Sequence, residues 1–346
     1  MENSQEFILL FHTHQYFPGF YLFSSLFQSL PMKVILGYIR LFIKEHFNVK
    51  LYLAFTLFTA ALVFINYRFD FENSIIDADY GKSIRILWYT LIHAVAYYGV
   101  LIISVFITGR KDFLLDYRFW LKSLIGIAIL GIDRSFHYHT GMLQSLMGED
   151  VRFIRKVAGN MKSIFTIGLL LFIVYLFFDR KNHFGFYGLR FKKVDFRPYV
   201  VMLLLVVPLT FAASFLPDFI DFYPVYKRAG GSDFAEMMNW SEWVAKSIFE
   251  FFYSMDFISV ELFFRGFLVI GLMKFLGKDA ILPMAATYCV LHFGKPIGEA
   301  ISSVFGGYIL GIIALYSRNI WGGIFVHVGI ALSMELFAFM QLGYLR

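Results

Sequence analysis

Long apolar segments follow one another along this chain and constrain its fold more than any other feature. A helix needs about 20 residues to cross a bilayer, and backbone polar groups inside hydrocarbon must be satisfied within the crossing element itself. We therefore predict an all-α, polytopic transmembrane helical bundle of about eight to nine spans. The candidate segments are 50–67, 88–108, 118–132, 163–178, 198–216, 244–276, 281–293, 299–317 and 320–341.

Composition agrees with a membrane protein and excludes several other classes. Hydrophobic residues make up 59% of the chain and charged residues 16%, whereas soluble domains are typically about 45–50% apolar and about 25% charged. The net charge of +6 is therefore expected to set topology, and no nucleic-acid partner is predicted. With one cysteine, Cys289, neither an internal disulfide nor a cysteine-based metal cluster is possible.

Loop charges predict how the chain is oriented, because basic loops favour the cytoplasmic side. The 179–197 loop is strongly basic and should be cytoplasmic, whereas the acidic 217–242 loop should lie outside. Together with nine spans, this places the N-terminus inside. The 133–162 loop breaks the pattern, because it should lie outside yet carries five basic and three acidic residues.

Three regions are predicted along the chain. Residues 1–49 form an N-terminal interfacial region, in which Met32 to Phe47 have the spacing of an amphipathic helix. Residues 50–216 supply N-terminal transmembrane helices, and residues 244–341 form a helical core that carries the chemistry.

Ionisable residues within the last apolar segments indicate a functional site. Glu261, Arg265, His292 and His327 all lie in apolar sequence, where ionisable groups at bilayer depth are costly and usually functional. Glu261 and Arg265 are four residues apart, so they share a helical face and can pair. A packing ion pair and hydrogen-bonded core histidines would be the structural alternative.

The same residues resemble the motifs of the CPBP family of intramembrane proteases, named for its CAAX-protease and bacteriocin-processing members. That family carries E-E-x-x-x-R, F-x-x-x-H and H-x-x-x-N (or Asp) on successive helices. The corresponding segments here are Val260-Glu-Leu-Phe-Phe-Arg265, Tyr288-Cys-Val-Leu-His292 and His327-Val-Gly-Ile-Ala331. The context His-Phe-Gly-Lys-Pro and then Gly298-Glu299 also resembles bacterial members, which favours a bacterial inner membrane.

The resemblance implies an intramembrane endopeptidase that acts on a membrane-associated peptide or protein. Glu261 and His292 would activate water, His327 would hold the oxyanion, and Arg265 and Glu299 would support them. Two positions depart from the family, since Val260 replaces the first Glu and Ala331 replaces the last Asn. A valine cannot transfer a proton, and adjacent helical residues point about 100° apart, so Glu261 does not simply replace its neighbour.

Two alternatives remain open at this stage. His292, His327 and a carboxylate, either Glu261 or Glu299, could instead bind Zn²⁺ with an open water position, since two histidines and a carboxylate suit that ion. The main prediction nevertheless requires no cofactor. In the other alternative the site has lost catalysis, and the helices act as a membrane peptide-binding, lipid-binding or chaperone module. Nothing in the sequence predicts the oligomeric state or the identity of the substrate.

Overall fold

The structure is a computed structural model that describes residues 30–147, 152–181, 185–190 and 194–343. Over these residues every regular element is helical, so the predicted all-α fold is confirmed. The principal helices are α1 (Leu30–His46), α2 (Val49–Phe69), α3 (Ile84–Thr108), α4 (Tyr117–Ser135), α5 (Tyr138–Met147), α6 (Arg152–Phe178), α7 (Arg197–Ala213), α8 (Glu242–Glu261), α9 (Ile281–Leu291), α10 (Ile297–Ser317) and α11 (Trp321–Gln341). Short helices Pro217–Phe222, Val225–Arg228, Gly231–Met237 and Met273–Leu276 lie in the connections.

Five of these helices are long and apolar enough to cross a membrane, namely α2, α3, α6, α10 and α11. α7 is apolar but has 17 residues, and α9 has 11. α4 and α8 occupy predicted spans as well, although each contains buried ionisable residues such as Lys122 and Glu261. The protein is thus an integral membrane helical bundle, and eight to nine spans remain a prediction.

The amphipathic segment predicted near the N-terminus forms α1. Its buried stripe includes Ile35 and Phe42, while Val34 and Leu41 stay exposed. The buried stripe packs against α10, where the Phe42 ring meets the Tyr308 ring at 5.7 Å. Residues 1–29 of the predicted interfacial region lie outside the described residues, and the position of α1 at the membrane surface remains a prediction.

α8 continues directly into a wide helical stretch, Leu262–Gly271, whose hydrogen bonds have the π-helical spacing. All ten of its residues are buried. π-helical turns inside longer helices are rare and often occur at functional sites. Here the change of helical spacing begins immediately after Glu261 and includes Arg265.

N-terminal and C-terminal helices share one core. The largest apolar cluster joins Phe119 of α4 with Phe267 of the wide stretch and Tyr288 of α9. Beside this cluster the buried Lys122 ammonium contacts both the Asp179 carboxylate and the Gly271 carbonyl oxygen. The predicted regions 50–216 and 244–341 therefore pack against each other over a wide area, and their bounds remain predictions about the sequence.

Candidate active site

A cavity of about 660 Å³ lies between the N-terminal and C-terminal helices. His292 from the end of α9 and His327 from α11 both line it, together with Val260 of α8. Apolar side chains of Phe257 and Phe264 contribute to the same wall. The structure thus brings both predicted histidines to one space that is large enough for several atoms of a ligand.

Glu261 lies behind this wall and is 0% exposed. Its Oε1 atom lies 2.9 Å from Arg265 Nη1 and 2.9 Å from His327 Nδ1. On the other side, Gly323 of α11 comes so close that a Cβ atom there would stand 2.6 Å from Glu261 Oε2. The absence of a side chain at Gly323 therefore allows α11 to pack against the carboxylate.

Arg265 forms the predicted pair with Glu261 and is itself 1% exposed. Its guanidinium carbon lies 4.2 Å from the centre of the Tyr288 ring, which adds a cation–π contact. Arg265 therefore neutralises the Glu261 carboxylate and links the wide helical stretch to α9.

His327 is held from both sides. With the Glu261 carboxylate as acceptor, Nδ1 carries the proton and donates to Oε1. Nε2 then accepts from the Tyr288 hydroxyl at 3.1 Å. This arrangement fixes the ring at the edge of the cavity. Ala331, one turn further along α11, is buried in an apolar cluster and offers no polar atom to the site.

His292 follows the last turn of α9 and is 6% exposed. Its Nδ1 atom donates to the Tyr288 carbonyl oxygen at 2.8 Å, which leaves the lone pair on Nε2. That Nε2 atom lies 3.9 Å from Glu299 Oε1. Glu299 stands in the first turn of α10 and accepts from Lys295 at 2.6 Å and from the Tyr223 hydroxyl at 2.7 Å.

Two residues at this site were not recognised from the sequence. Tyr288 joins the two histidines, through its hydroxyl to His327 and its carbonyl to His292. Asp256 also lines the cavity, and its Oδ1 atom is buried without a hydrogen-bond partner among the described residues. Asp256 is four residues before Val260, so both side chains lie on the same face of α8. This face borders the cavity, whereas Glu261 lies on a neighbouring face.

No group of three or more His, Cys, Asp or Glu side chains is placed to hold a metal ion within the described part of the chain. The described residues His292, His327 and Glu261 therefore do not form such a group. Glu261 is instead engaged with Arg265 and His327, so this arrangement lends the zinc alternative no support.

The segment that carries these residues is similar to a known family. Residues 240–333 match the family described as Rce1-like, type II CAAX prenyl endopeptidase Rce1-like. The match runs from the start of α8 into α11 and contains all five predicted site residues. It confirms the resemblance that the motifs indicated and supports a membrane endopeptidase at the level of the family. Searches of curated proteins and of solved structures each found no match.

Proposed function

From this Rce1-like match we propose that the protein is an intramembrane endopeptidase that hydrolyses a peptide bond of a membrane-associated protein or peptide. The observation that carries the proposal is the position of His292 and His327 on one cavity within the matched segment. No metal or organic cofactor is required by this chemistry, because the reacting water needs only a base and a group that stabilises the oxyanion.

His292 is assigned as the base. Its Nδ1–H is bound by the Tyr288 carbonyl, so Nε2 can take a proton from water as the water oxygen attacks the peptide carbonyl carbon. The Glu299 carboxylate, 3.9 Å from Nε2, stabilises the imidazolium that forms. When the C–N bond breaks, the same proton passes to the leaving amine.

His327 is assigned to the oxyanion of the tetrahedral intermediate. In that role the ring is the imidazolium, whose Nε2–H points to the oxyanion in place of the bond that Nε2 otherwise accepts from the Tyr288 hydroxyl. The Glu261 carboxylate at Nδ1 stabilises its positive charge. Glu261 was expected to share a water with His292. Its burial behind the cavity wall leads us to assign it to His327 instead, with Arg265 holding the carboxylate in place.

The inactive binding module remains the second candidate, and two residues favour it. Val260 places an isopropyl group in the cavity where the family carries its first Glu, and Ala331 removes the last polar residue of the third motif. A cavity with these two positions apolar could hold a membrane peptide without cutting it.

A cleavage assay decides between the two functions. The purified protein in lipid nanodiscs is incubated with membrane-peptide libraries, and products are identified by mass spectrometry. His292→Ala should lower any cleavage rate by at least ~10²-fold, the usual scale for a general base. Cleavage that is unchanged in His292→Ala rules out this base, and a complete lack of cleavage by the wild type supports the binding module.

His93→Ala is the matched control. His93 is also buried, at 1% exposure, and its Nδ1 atom also bonds the carbonyl oxygen four residues earlier, at 2.6 Å from Tyr89. It lies on α3 and is not among the residues that line the cavity. A loss specific to His292→Ala therefore reports on chemistry rather than on the local hydrogen bond.

We also propose a bacterial inner membrane as the location, with a cytoplasmic N-terminus. The five apolar helices support insertion in a bilayer, and the basic 179–197 loop supports the orientation. Reporter fusions in the 179–197 and 217–242 loops test this orientation. Activity of a periplasmic reporter at 179–197 would show that the topology is the opposite of the proposed one.

A further inference from the structure

The basic residues that broke the charge pattern of the sequence are gathered around the candidate active site. The 133–162 region should lie outside, yet it carries five basic residues. In the structure all five line the same cavity as His292 and His327. They are Arg134, Arg152, Arg155, Lys156 and Lys162. Their position suggests that the cavity, rather than the topology, requires these charges.

The cavity wall carries more positive than negative charge. Besides these five, Arg85, Arg228 and Lys295 line it, whereas its carboxylates are Asp133 and Asp256. Four of the cations form ion pairs, which are Arg85 with Asp77, Arg134 with Glu72, Lys162 with Asp133 and Lys295 with Glu299. Among the described residues, the lining cations that form no ion pair are Arg152, Arg155, Lys156 and Arg228, and Asp256 is the remaining lining carboxylate.

Two of these arginines come from different elements and converge. Arg152 begins α6, and Arg228 ends the short helix Val225–Arg228. Arg152 lies against the turn that follows this helix, because a Cβ atom on Gly230 would stand 3.5 Å from Arg152 Nε. Arg228 is held against Phe222, with its guanidinium carbon 4.7 Å from the ring centre. All of these residues precede the matched segment 240–333.

We propose that these arginines form a subsite for a carboxylate of the peptide substrate, and so select acidic peptides. The proposal rests on the proposed endopeptidase function. A guanidinium binds a carboxylate through two parallel N–H donors, which is the preferred geometry for that pair. The cavity of about 660 Å³ allows a carboxylate at the arginines while a peptide bond a few residues away lies at His292. Because these cations line the same cavity as both histidines, a peptide is favoured over a lipid headgroup.

A binding assay with the full-length protein tests this independently of cleavage. His292→Ala, in nanodiscs of zwitterionic lipid, is titrated with fluorescent peptides that contain Glu or Gln near the centre. Each peptide is made with a free or an amidated C-terminus, so that a side-chain carboxylate is distinguished from a terminal one. At least one carboxylate peptide should bind about tenfold more tightly than its neutral counterpart, as expected for charge-assisted hydrogen bonds.

Arg152→Gln and Arg228→Gln, each added to His292→Ala, should remove most of that preference, and added salt should weaken it. Arg40→Gln is the control, since Arg40 is an exposed residue of α1. Equal binding of charged and neutral peptides overturns the proposal, as does an equal loss in Arg40→Gln. Displacement of the peptides by anionic-lipid nanodiscs, with no preference among peptides, also overturns it and identifies a lipid headgroup as the ligand. A protein that binds acidic peptides selectively but cleaves none would refute the proposed function while leaving the subsite in place.

Discussion

Removing the Arg265 guanidinium should destabilise the protein more than removing both members of its pair with Glu261. Both side chains are at most 1% exposed, and Oε1 of Glu261 lies 2.9 Å from Nη1 of Arg265. Loss of one partner from a buried pair leaves the other charge uncompensated, which typically costs about 3–5 kcal/mol. We expect a loss of this size in the free energy of unfolding for Arg265→Leu and for Glu261→Leu.

The double variant Glu261→Leu/Arg265→Leu should lose less than either single variant. Replacement of a whole buried pair by apolar residues is often close to neutral. One cost remains, because His327 loses its acceptor at Nδ1, and a single hydrogen bond is worth about 0.5–1.5 kcal/mol. The expected loss is therefore roughly 1–2 kcal/mol for the double variant, from these two terms together.

Chemical unfolding of the wild type, both single variants and the double variant in one detergent measures these differences in the free energy of unfolding. Arg197→Leu serves as the control, because Arg197 pairs with Asp195 while 76% exposed, and surface pairs contribute at most about 1 kcal/mol. If the double variant loses the sum of the two single losses, the charges do not compensate each other. Contacts other than the pair with Arg265 would then have to stabilise the buried Glu261 carboxylate.

Two further substitutions probe the same site. Val260→Glu places a carboxylate in the cavity beside the histidines and should raise a low peptidase rate by up to ~10²-fold, whereas Val260→Gln should not; a gain with both variants would contradict a role for the charge. Gly323→Ala puts a Cβ atom 2.6 Å from Glu261 Oε2 and should cost about 1–3 kcal/mol of stability. Gly306→Ala, where nothing lies within 4 Å, should be neutral or slightly stabilising, and an equal loss in both would show that the contact with Glu261 is unimportant.

The helical bundle and the Glu261–Arg265 pair could be predicted because they depend on local information. Apolar segments of spanning length favour helices in a bilayer, and a four-residue spacing places two side chains on one helical face. The family resemblance was also accessible, since Arg265, His292 and His327 keep the spacing of its motifs. Each of these inferences uses residues within one segment of the chain.

Contacts between segments were not predictable in the same way. The bond from Tyr288 to His327 joins residues 39 positions apart, and no periodicity in either helix specifies it. Asp256 lines the cavity with Val260, whereas Glu261 does not, and no motif in the sequence distinguishes these two faces of the helix. From the sequence alone, the basic residues of the 133–162 region only disagree with the predicted topology. Their convergence on one cavity depends on how α6 packs against α8.

The Lys122 contact has a consequence for the order in which the chain is synthesised. Lys122 touches the Gly271 carbonyl oxygen, 149 residues later in the chain, and is 1% exposed in the finished protein. Since the N-terminal helices enter the membrane first, the Lys122 ammonium lacks its contact with the Gly271 carbonyl oxygen until residue 271 has been synthesised. Asp179, the ion-pair partner of Lys122 in the finished protein, is synthesised much earlier than Gly271 and can compensate the charge in the meantime. A nascent chain without Asp179 would therefore hold an uncompensated cation in the membrane until the wide helical stretch arrived, so Asp179→Asn should impair insertion and accumulation of the whole protein, even though it lies outside the matched segment.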